Sequence, residues 1–424
     1  MRLLSRKNLA ASLGNVVEWY DFCLYGYFAA YIATAFFPSH SHYLSLMAAF
    51  LAFGLGYIMR PIGGVIFGHI GDHYGQGKAL YLSISLIAFP TFLIGALPTE
   101  AKIGITAPIL LVVFRIVQGL SVGGQYSGAL AVLRNNQKPR RGAQGAAMAY
   151  IGCMFGFLLA SFVGFLSTRF FHDQWAWRLP FLATLIMIPP LLLTRRSLIS
   201  LHIPTKKRTD QPAPIVELIS RHPGLTFRVT ILACFGGVYY SSFFVFIISY
   251  MKVTAHIAMH DVFVINMLCL MSSAVAIMYF ARLADRIGRK PIIVASSLGL
   301  AILTVPSFLL IDTAHLSLAF LGMWLLTTAN TAFMAACAVV YVEMFPKRVQ
   351  FTGCSLAYNI GAGVIGGLTP AALSYLFHLG HLGLMAGFIV AVAALAAFFI
   401  SRCIPETLPN VSVRHASGVC SEQE

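Results

Sequence analysis

Charge is what this sequence has least of. Only 10% of its 424 residues are Asp, Glu, Lys or Arg, and just 14 are acids. A water-soluble chain carries about 25% charged residues, so there is too little polar surface here to cover a soluble body. The eight cysteines show no CxxC or other metal-ligand spacing, and most sit inside apolar runs. Such cysteines read as small buried side chains. The histidines fall mostly in loops, with no pair at ligand spacing within a helix, so no metal site and no cofactor are expected. A nucleophile constellation, a phosphate-binding loop behind a strand and a soluble domain are all missing, which argues against an enzyme or a sensor. The first apolar run follows Arg2, Arg6 and Lys7, lacks a small-residue cleavage site and contains two acids. It reads as a membrane segment and not as a cleavable signal.

Apolar length is what the sequence has instead. Hydrophobic residues make up 58% of the chain, and the mean hydropathy is +0.80. A spanning helix needs about 20 mostly apolar residues. Twelve such runs are predicted: 10–36, 44–66, 79–99, 107–130, 144–168, 177–195, 227–251, 262–283, 291–311, 315–343, 353–378 and 382–404, spans 1 to 12. The expected fold class is an all-α polytopic membrane protein whose surroundings are lipid. A net charge of +15 would suggest nucleic acid for a soluble protein. Here the basic residues lie between apolar stretches, so no nucleic acid is expected. With an even number of spans, both termini share one side. That side holds clusters such as Arg134, Lys138, Arg140 and Arg141, whereas the other holds at most Lys102, Arg169, Arg178 and Lys252. Cytoplasmic loops retain Lys and Arg, so both termini are expected inside, in the inner membrane.

The chain repeats itself. GDHYGQGK (71–78) after span 2 matches ADRIGRKP (284–291) after span 8, pairing Asp72 with Asp285. At nearly the same offset, PRRGAQGAAMAY (139–150) matches PKRVQFTGCSLAY (346–358), pairing Tyr150 with Tyr358. The longest polar break, 196–226, lies between the two copies. The expected division is a six-helix half at 1–195, a central loop at 196–226, a second six-helix half at 227–404 and a short tail at 405–424. Repeated halves are a common basis for alternating access around a site near the midplane. Glycines in these loops permit sharp turns and close helix packing. An Asp there can sit against a helix N-terminus of the facing half, where the helix dipole favours an anion.

These loops resemble the signature of the major facilitator superfamily. The chain is similar, more narrowly, to the metabolite:proton symporter family of proline/betaine, α-ketoglutarate, shikimate and citrate porters. The residues that carry the resemblance are GNVVEWYDFCLYG (14–26), RPIGGVIFGHIGD (60–72), RIVQGLSVGGQYSGA (115–129), WAWRLPFL (175–182), VEMFP (342–346) and TGCSLAYN (352–359). They run in order through nearly the whole chain. The resemblance implies a monomeric transporter with gating residues Asp72, Asp285, Arg286, Arg289 and Glu343. There are departures. His73 and Gln76 replace the basic residues usual in the first loop, and Asn135 replaces an acid at the end of span 4. Asn135 is the repeat counterpart of Glu343, so the first half has lost both ends of an expected ion pair together. A looser first-half gate follows.

Inside the membrane, Glu18 and Asp21 lie three residues apart on one face of span 1. An intramembrane carboxylate is costly and functional by default. Removal from water favours its protonated form, so both are candidates for proton coupling. Some relatives carry Glu at the position of Gln125, and its absence here puts more weight on span 1. Arg115 lies ~12 Å into span 4 and needs an anion, either a substrate carboxylate or a span 1 acid. Gln118 and Gln125 share its face. Tyr20, Tyr25, Arg115, Gln118, Gln125, Tyr239, Asn330 and Asn359 are candidate substrate contacts, and Tyr126, Tyr240, Asn266 and Tyr358 are further candidates for the cavity wall. For each single one the alternative is interhelical hydrogen bonding. The expected function is secondary active transport, a proton-coupled import of a small organic acid, amino acid or zwitterionic osmolyte. The alternative is an uncoupled facilitator or exporter of the same fold. No heptads follow Pro405, which argues against a coiled-coil osmosensor.

Overall fold

Long apolar runs satisfy their backbone hydrogen bonds internally only as helices, and the computed structural model is helical throughout. It describes residues 6–74, 76–123, 125–171, 174–186, 214–253, 255–378 and 383–408, with side chains for all of these except 6–14, 68–74, 76–81, 84, 85, 132, 174, 214, 383 and 384. No strand occurs among the described residues.

A helical segment stands at each of the twelve predicted spans. Span 1 is Arg6–Tyr27 continued, after a break at Phe28, by Ala29–Phe36. Span 2 is His42–Ile58 with Arg60–Tyr74, and span 3 is Gln76–Ala96. Span 4 is Thr106–Val122 with Gln125–Asn135, span 5 is Gly142–Phe170, and span 6 starts as Gln174–Leu182. Span 7 is Pro223–Tyr240, a wide-turn segment Ser241–Phe246, and Ile247–Val253. Spans 8, 9 and 10 are Met259–Ile287, Arg289–Asp312 and Leu316–Glu343. Span 11 is Gln350–Tyr358, a second wide-turn segment Asn359–Ile365, and Gly366–His378, and span 12 is Gly383–Cys403. Among the described residues nine helical runs are long and apolar enough to cross a membrane, and spans 1, 3 and 6 are not among them. Large apolar side chains such as Val65, Val275, Ile302 and Val392 cover the outside, the surface that lipid would meet.

The polar central loop holds one helix that the composition did not suggest. Pro214–Arg221 carries Glu217, whose carboxylate lies 3.0 Å from Arg348 just before span 11. The rest of that loop, 187–213, lies outside the described residues, as do the tail beyond 408 and the side chain of Asp72.

Glycines set how near the helices come. A side chain on Gly119 would collide with the carbonyl of Gly56, and one on Gly63 with the carbonyl of Leu120. Spans 2 and 4 therefore touch backbone to backbone. This contact brings the two buried arginines, Arg60 of span 2 and Arg115 of span 4, to the same flank of span 1. Spans 7 and 11 do likewise at Gly237, where an added Cβ would lie 2.5 Å from Ala362 Cα.

Candidate functional site

Spans 1, 2, 4 and 5 meet spans 7, 10 and 11 around a central cavity. Its wall is mostly aromatic: Trp19, Tyr57, Tyr126, Tyr150 and Phe157 on one side, Tyr240, Phe244, Tyr341 and Tyr358 on the other. Trp19 presents T-shaped contacts to Tyr126, Phe157 and Tyr240 at centroid distances of 6.0, 5.4 and 5.1 Å. Tyr126 and Tyr358 close to 4.8 Å across the two halves. Asn330 Nδ2 donates to the Tyr150 hydroxyl at 3.4 Å, while Asn330 Oδ1 and the Tyr126 hydroxyl have no protein partner. The free space is about 40 Å³, room for a few waters and too little for a metabolite. The cavity is thus closed down in this conformation.

Behind Trp19 and Tyr57 lie two carboxylate–arginine systems of different construction. Asp21 Oδ1 accepts from the Thr91 hydroxyl of span 3 and from Gln118 Nε2 of span 4, the latter at 2.7 Å. Gln118 Oε1 in turn accepts from Arg115 Nη1 at 2.9 Å. Arg115 is therefore joined to Asp21 through an amide. Its guanidinium is held over the rings of Tyr25, Phe22 and Phe53, 4.5, 5.0 and 5.2 Å from their centroids. Of the two anions expected for Arg115, the span 1 acid Asp21 lies at one remove, through Gln118. Glu18 instead faces Arg60 across 3.9 Å, and among the described residues neither of its oxygens has a hydrogen-bond partner. Arg60 is sandwiched by Tyr57 and Phe22 at 4.0 and 4.1 Å, with Trp19 at 5.8 Å. All four charged residues are at most 1% exposed.

The other candidates divide. Asn330, Tyr126, Tyr240 and Tyr358 line the cavity. Tyr20, Tyr25, Gln125 and Tyr239 do not. Helix rotation turns Tyr20 to span 6, where its hydroxyl donates to the Pro180 carbonyl at 2.9 Å. The Tyr25 hydroxyl donates to the Ala49 carbonyl at 3.0 Å. Gln125 Nε2 donates to the Ser83 hydroxyl of span 3, and Tyr239 packs among Phe235, Phe243 and Phe244. Asn266 bridges three helices, donating to Tyr27 at 2.9 Å and Ser161 at 2.6 Å. Asn359 ties the halves together, its Nδ2 donating to the Gly123 carbonyl at 2.7 Å. Arg60, Trp19, Tyr57, Tyr150 and Thr91 were missed. Arg60 alone carried a signal, as a charge within an apolar run.

Closures flank the cavity on both faces. On the face that bears the termini, Asp285 sits on the N-terminus of span 5 and accepts from the backbone N–H groups of Ala143 at 3.0 Å and Gln144 at 3.1 Å. This is the helix-capping contact expected for such an Asp. Arg289 donates to the same carboxylate at 3.0 Å and lies 3.6 Å from Glu343. Arg134, at the end of span 4, donates to Glu343 at 2.8 Å. Arg286, expected in this gate, is exposed and makes none of these contacts, because the turn at Gly288 directs Arg289 inward instead. Asn135 Nδ2 donates to Gln350 at 3.2 Å, so a neutral pair stands where the second half has ions. On the opposite face the seam is dry. Span 2 packs on span 11 through Tyr43 on Phe377, Gly54 against Gly367, and Tyr57 against Gly367, with Ser41 and His378 hydrogen-bonded at the rim at 3.2 Å.

Known proteins share this layout. A family model described as Major Facilitator Superfamily matches residues 12–350. The chain is 31% identical to the glycine betaine/proline/ectoine/pipecolic acid transporter OusA of Dickeya dadantii, over 97% of this chain and 85% of that protein. It is also 31% identical to the shikimate transporter of Escherichia coli, over 86% of each. Among solved structures, a D-xylose-proton symporter superposes with a TM-score of 0.72 at 18% identity, covering 94% of this chain and 98% of that one. Sequence and fold agree, and the chain belongs to the major facilitator superfamily of membrane transporters, in the metabolite:proton symporter branch to which its motifs point.

Proposed function

We propose that the protein couples import of a small organic acid, amino acid or zwitterionic osmolyte to proton entry by alternating access. One observation carries this reading: two carboxylates, Glu18 and Asp21, are buried beside two arginines just behind the wall of a cavity shared by both sets of six spans. A proton taken up by such a carboxylate changes which partners the arginines hold, and so links protonation to the shape of the site. Aromatic faces suit a cationic or apolar substrate end, and the arginines suit a carboxylate. Of the named substrates of the relatives, betaine and proline fit both parts of that description, and shikimate fits the carboxylate part. The site is complete within one chain, in keeping with a monomer, and the work is translocation without catalysis. The division at 196–226 and a cytoplasmic location for both termini in the inner membrane belong to the same reading, the latter supported by the basic residues on the terminal side.

Uptake of labelled glycine betaine, L-proline and shikimate into proteoliposomes tests it. Accumulation should require an inwardly directed proton gradient, and neutralising the acid that carries the proton, in Glu18→Gln or Asp21→Asn, should abolish accumulation. Uptake that ignores the gradient, unchanged in both Asp21→Asn and Glu18→Gln, would establish the uncoupled facilitator instead.

A further inference from the structure

The two buried acids are not equivalent, and the difference lies in how firmly each is held. Asp21 is held at Oδ1 by Thr91 and Gln118, and Gln118 also bonds Arg115 Nη1, while Asp21 Oδ2 has no partner among the described residues. Displacing it means dismantling contacts to two other helices, spans 3 and 4. Among the described residues Glu18 has no hydrogen bond at either oxygen, and its ion pair spans 3.9 Å, longer than the ~2.7–2.9 Å of a made charge-assisted bond. Among the described residues Arg60 Nε and Nη2 likewise have no protein partner; Arg115 also leaves Nε and Nη2 open, but its Nη1 is bonded to Gln118, which ties it to Asp21. A guanidinium with open donors, wholly buried and faced by a carboxylate that does not engage them, is an anion site filled by a stand-in. The place is also right. Tyr57 and Trp19, which carry Arg60 on their faces, are cavity wall.

We propose that Arg60 is the site for the carboxylate of a monocarboxylate substrate, and that Glu18 is its resident surrogate, released and protonated when substrate arrives. The inference rests on the transport reading above and deepens it. The exchange balances: substrate carboxylate replaces the Glu18 carboxylate at Arg60, and Glu18, left in a dry interior with no counterion, takes one proton from the open face because a lone buried charge is far costlier than a neutral acid. The rest of the substrate then lies among Trp19, Tyr126, Phe157 and Tyr240, whose ring faces suit a quaternary or secondary ammonium or an apolar ring. A zwitterion bound this way adds one net positive charge to the loaded carrier, and a simple monocarboxylate adds none. Inward movement of the first is driven by membrane potential, and movement of the second is not.

Calorimetry on the purified full chain, with glycine betaine, L-proline, shikimate and propionate as probes between pH 5.5 and 8.5, tests the assignment. Wild-type affinity should fall by up to tenfold per pH unit, the linkage expected when one proton binds with each substrate. Glu18→Gln should flatten that slope and bind at least tenfold more tightly at pH 8. Arg60→Gln alone strands Glu18 and can fail to fold, so the paired variant Glu18→Gln/Arg60→Gln is used, with its thermal midpoint as the check on folding. It should lose at least a hundredfold in affinity for the carboxylate probes. Arg60→Lys keeps the charge but not the two-pronged fork and should lose at least tenfold. The assignment is overturned if Glu18→Gln keeps the wild-type slope, if the Arg60 variants bind within threefold of wild type, or if no carboxylate probe binds the wild type. Arg60-dependent, Glu18-controlled binding found with gradient-independent uptake would support the site and remove the symport reading. Gradient-driven uptake with Arg60-independent binding would do the reverse.

Discussion

The two faces of the molecule are shut by opposite means. On the terminal face the closure is ionic: Asp285 on the N-terminus of span 5, Arg289 between Asp285 and Glu343, and Arg134 on Glu343. Across the cavity it is almost free of charge, with Gly54 and Gly367 letting span 2 and span 11 lie in van der Waals contact while Tyr43 stacks on Phe377. An ionic latch can trade each contact for water or a counterion, so it opens without leaving an unsatisfied group. A dry seam has nothing to trade, since its stability is the sum of many small dispersion contacts that vanish once the surfaces part by an ångström or two. The first is released by charge and hydration, and the second by shape. A transporter with both needs no single event to break both at once.

The comparison can be broken most severely at the dry seam. A Cβ on Gly367 would stand 2.5 Å from Tyr57 Cβ, so Gly367→Leu holds that face open. Overpacking on this scale costs about 3 kcal/mol, or roughly a hundredfold against closure. Proteoliposome uptake should fall to background. In a variant whose only cysteine is the cavity-lining Cys153, maleimide labelling from that face should rise.

Glu343→Gln weakens the ionic latch. It removes the charge from the Arg134 bond at 2.8 Å and takes one of two carboxylates from Arg289. A hydrogen bond to a charged group is worth about 1.5–3 kcal/mol, so the terminal face should open tenfold or more, with Cys153 labelling rising from that side alone. Unchanged labelling would mean the latch does not bear the closure.

Salt separates the two materials without mutation. Arg134 is 20% exposed, and raising ionic strength to 1 M shortens the screening length to ~3 Å. Labelling from the terminal face should rise by a few-fold in wild type and not at all in Glu343→Gln, while the dry seam should not respond.

The smallest effect belongs to Asn135→Glu. Asn135 is exposed and, among the described residues, is bonded to Gln350 and Arg134, so a surface charge there changes stability by under about 1 kcal/mol. A modest bias toward closure of the terminal face is expected. Combined with His73→Arg, an expectation about the missing first-half pair that rests on sequence alone, the bias should grow. No change in labelling or rate in the double variant would sink the idea that the first-half gate is looser.

Much of this was legible before any coordinates. Each span follows from apolar length, because a chain in lipid has no other way to pair its backbone groups. The capping role of the loop aspartate followed from an anion's affinity for a helix N-terminus, and it is observed at Asp285. Glu18, Asp21 and Arg115 stood out because charge inside a membrane demands a reason. Arg60 satisfied the same rule and should have been weighed equally. The neutral partner of Asn135 was not foreseeable, since Gln350 lies far off in sequence.

What the sequence by itself determined is the solvent, the number of spans, the repeat and the handful of charges that must find partners inside. Only the tertiary structure decided which partners those are. Trp19 faces the cavity and Tyr20 faces span 6, although they are neighbours in the chain. Consecutive residues on a helix point about 100° apart, and the rotation of span 1 is set by what packs on it from spans 2, 4, 5 and 7. That rotation gives Asp21 its amide and hydroxyl and leaves Glu18 with Arg60 alone. Both acids are read equally well from composition and period. Their different surroundings come from helices more than forty residues away, brought together by glycine contacts that no local pattern specifies.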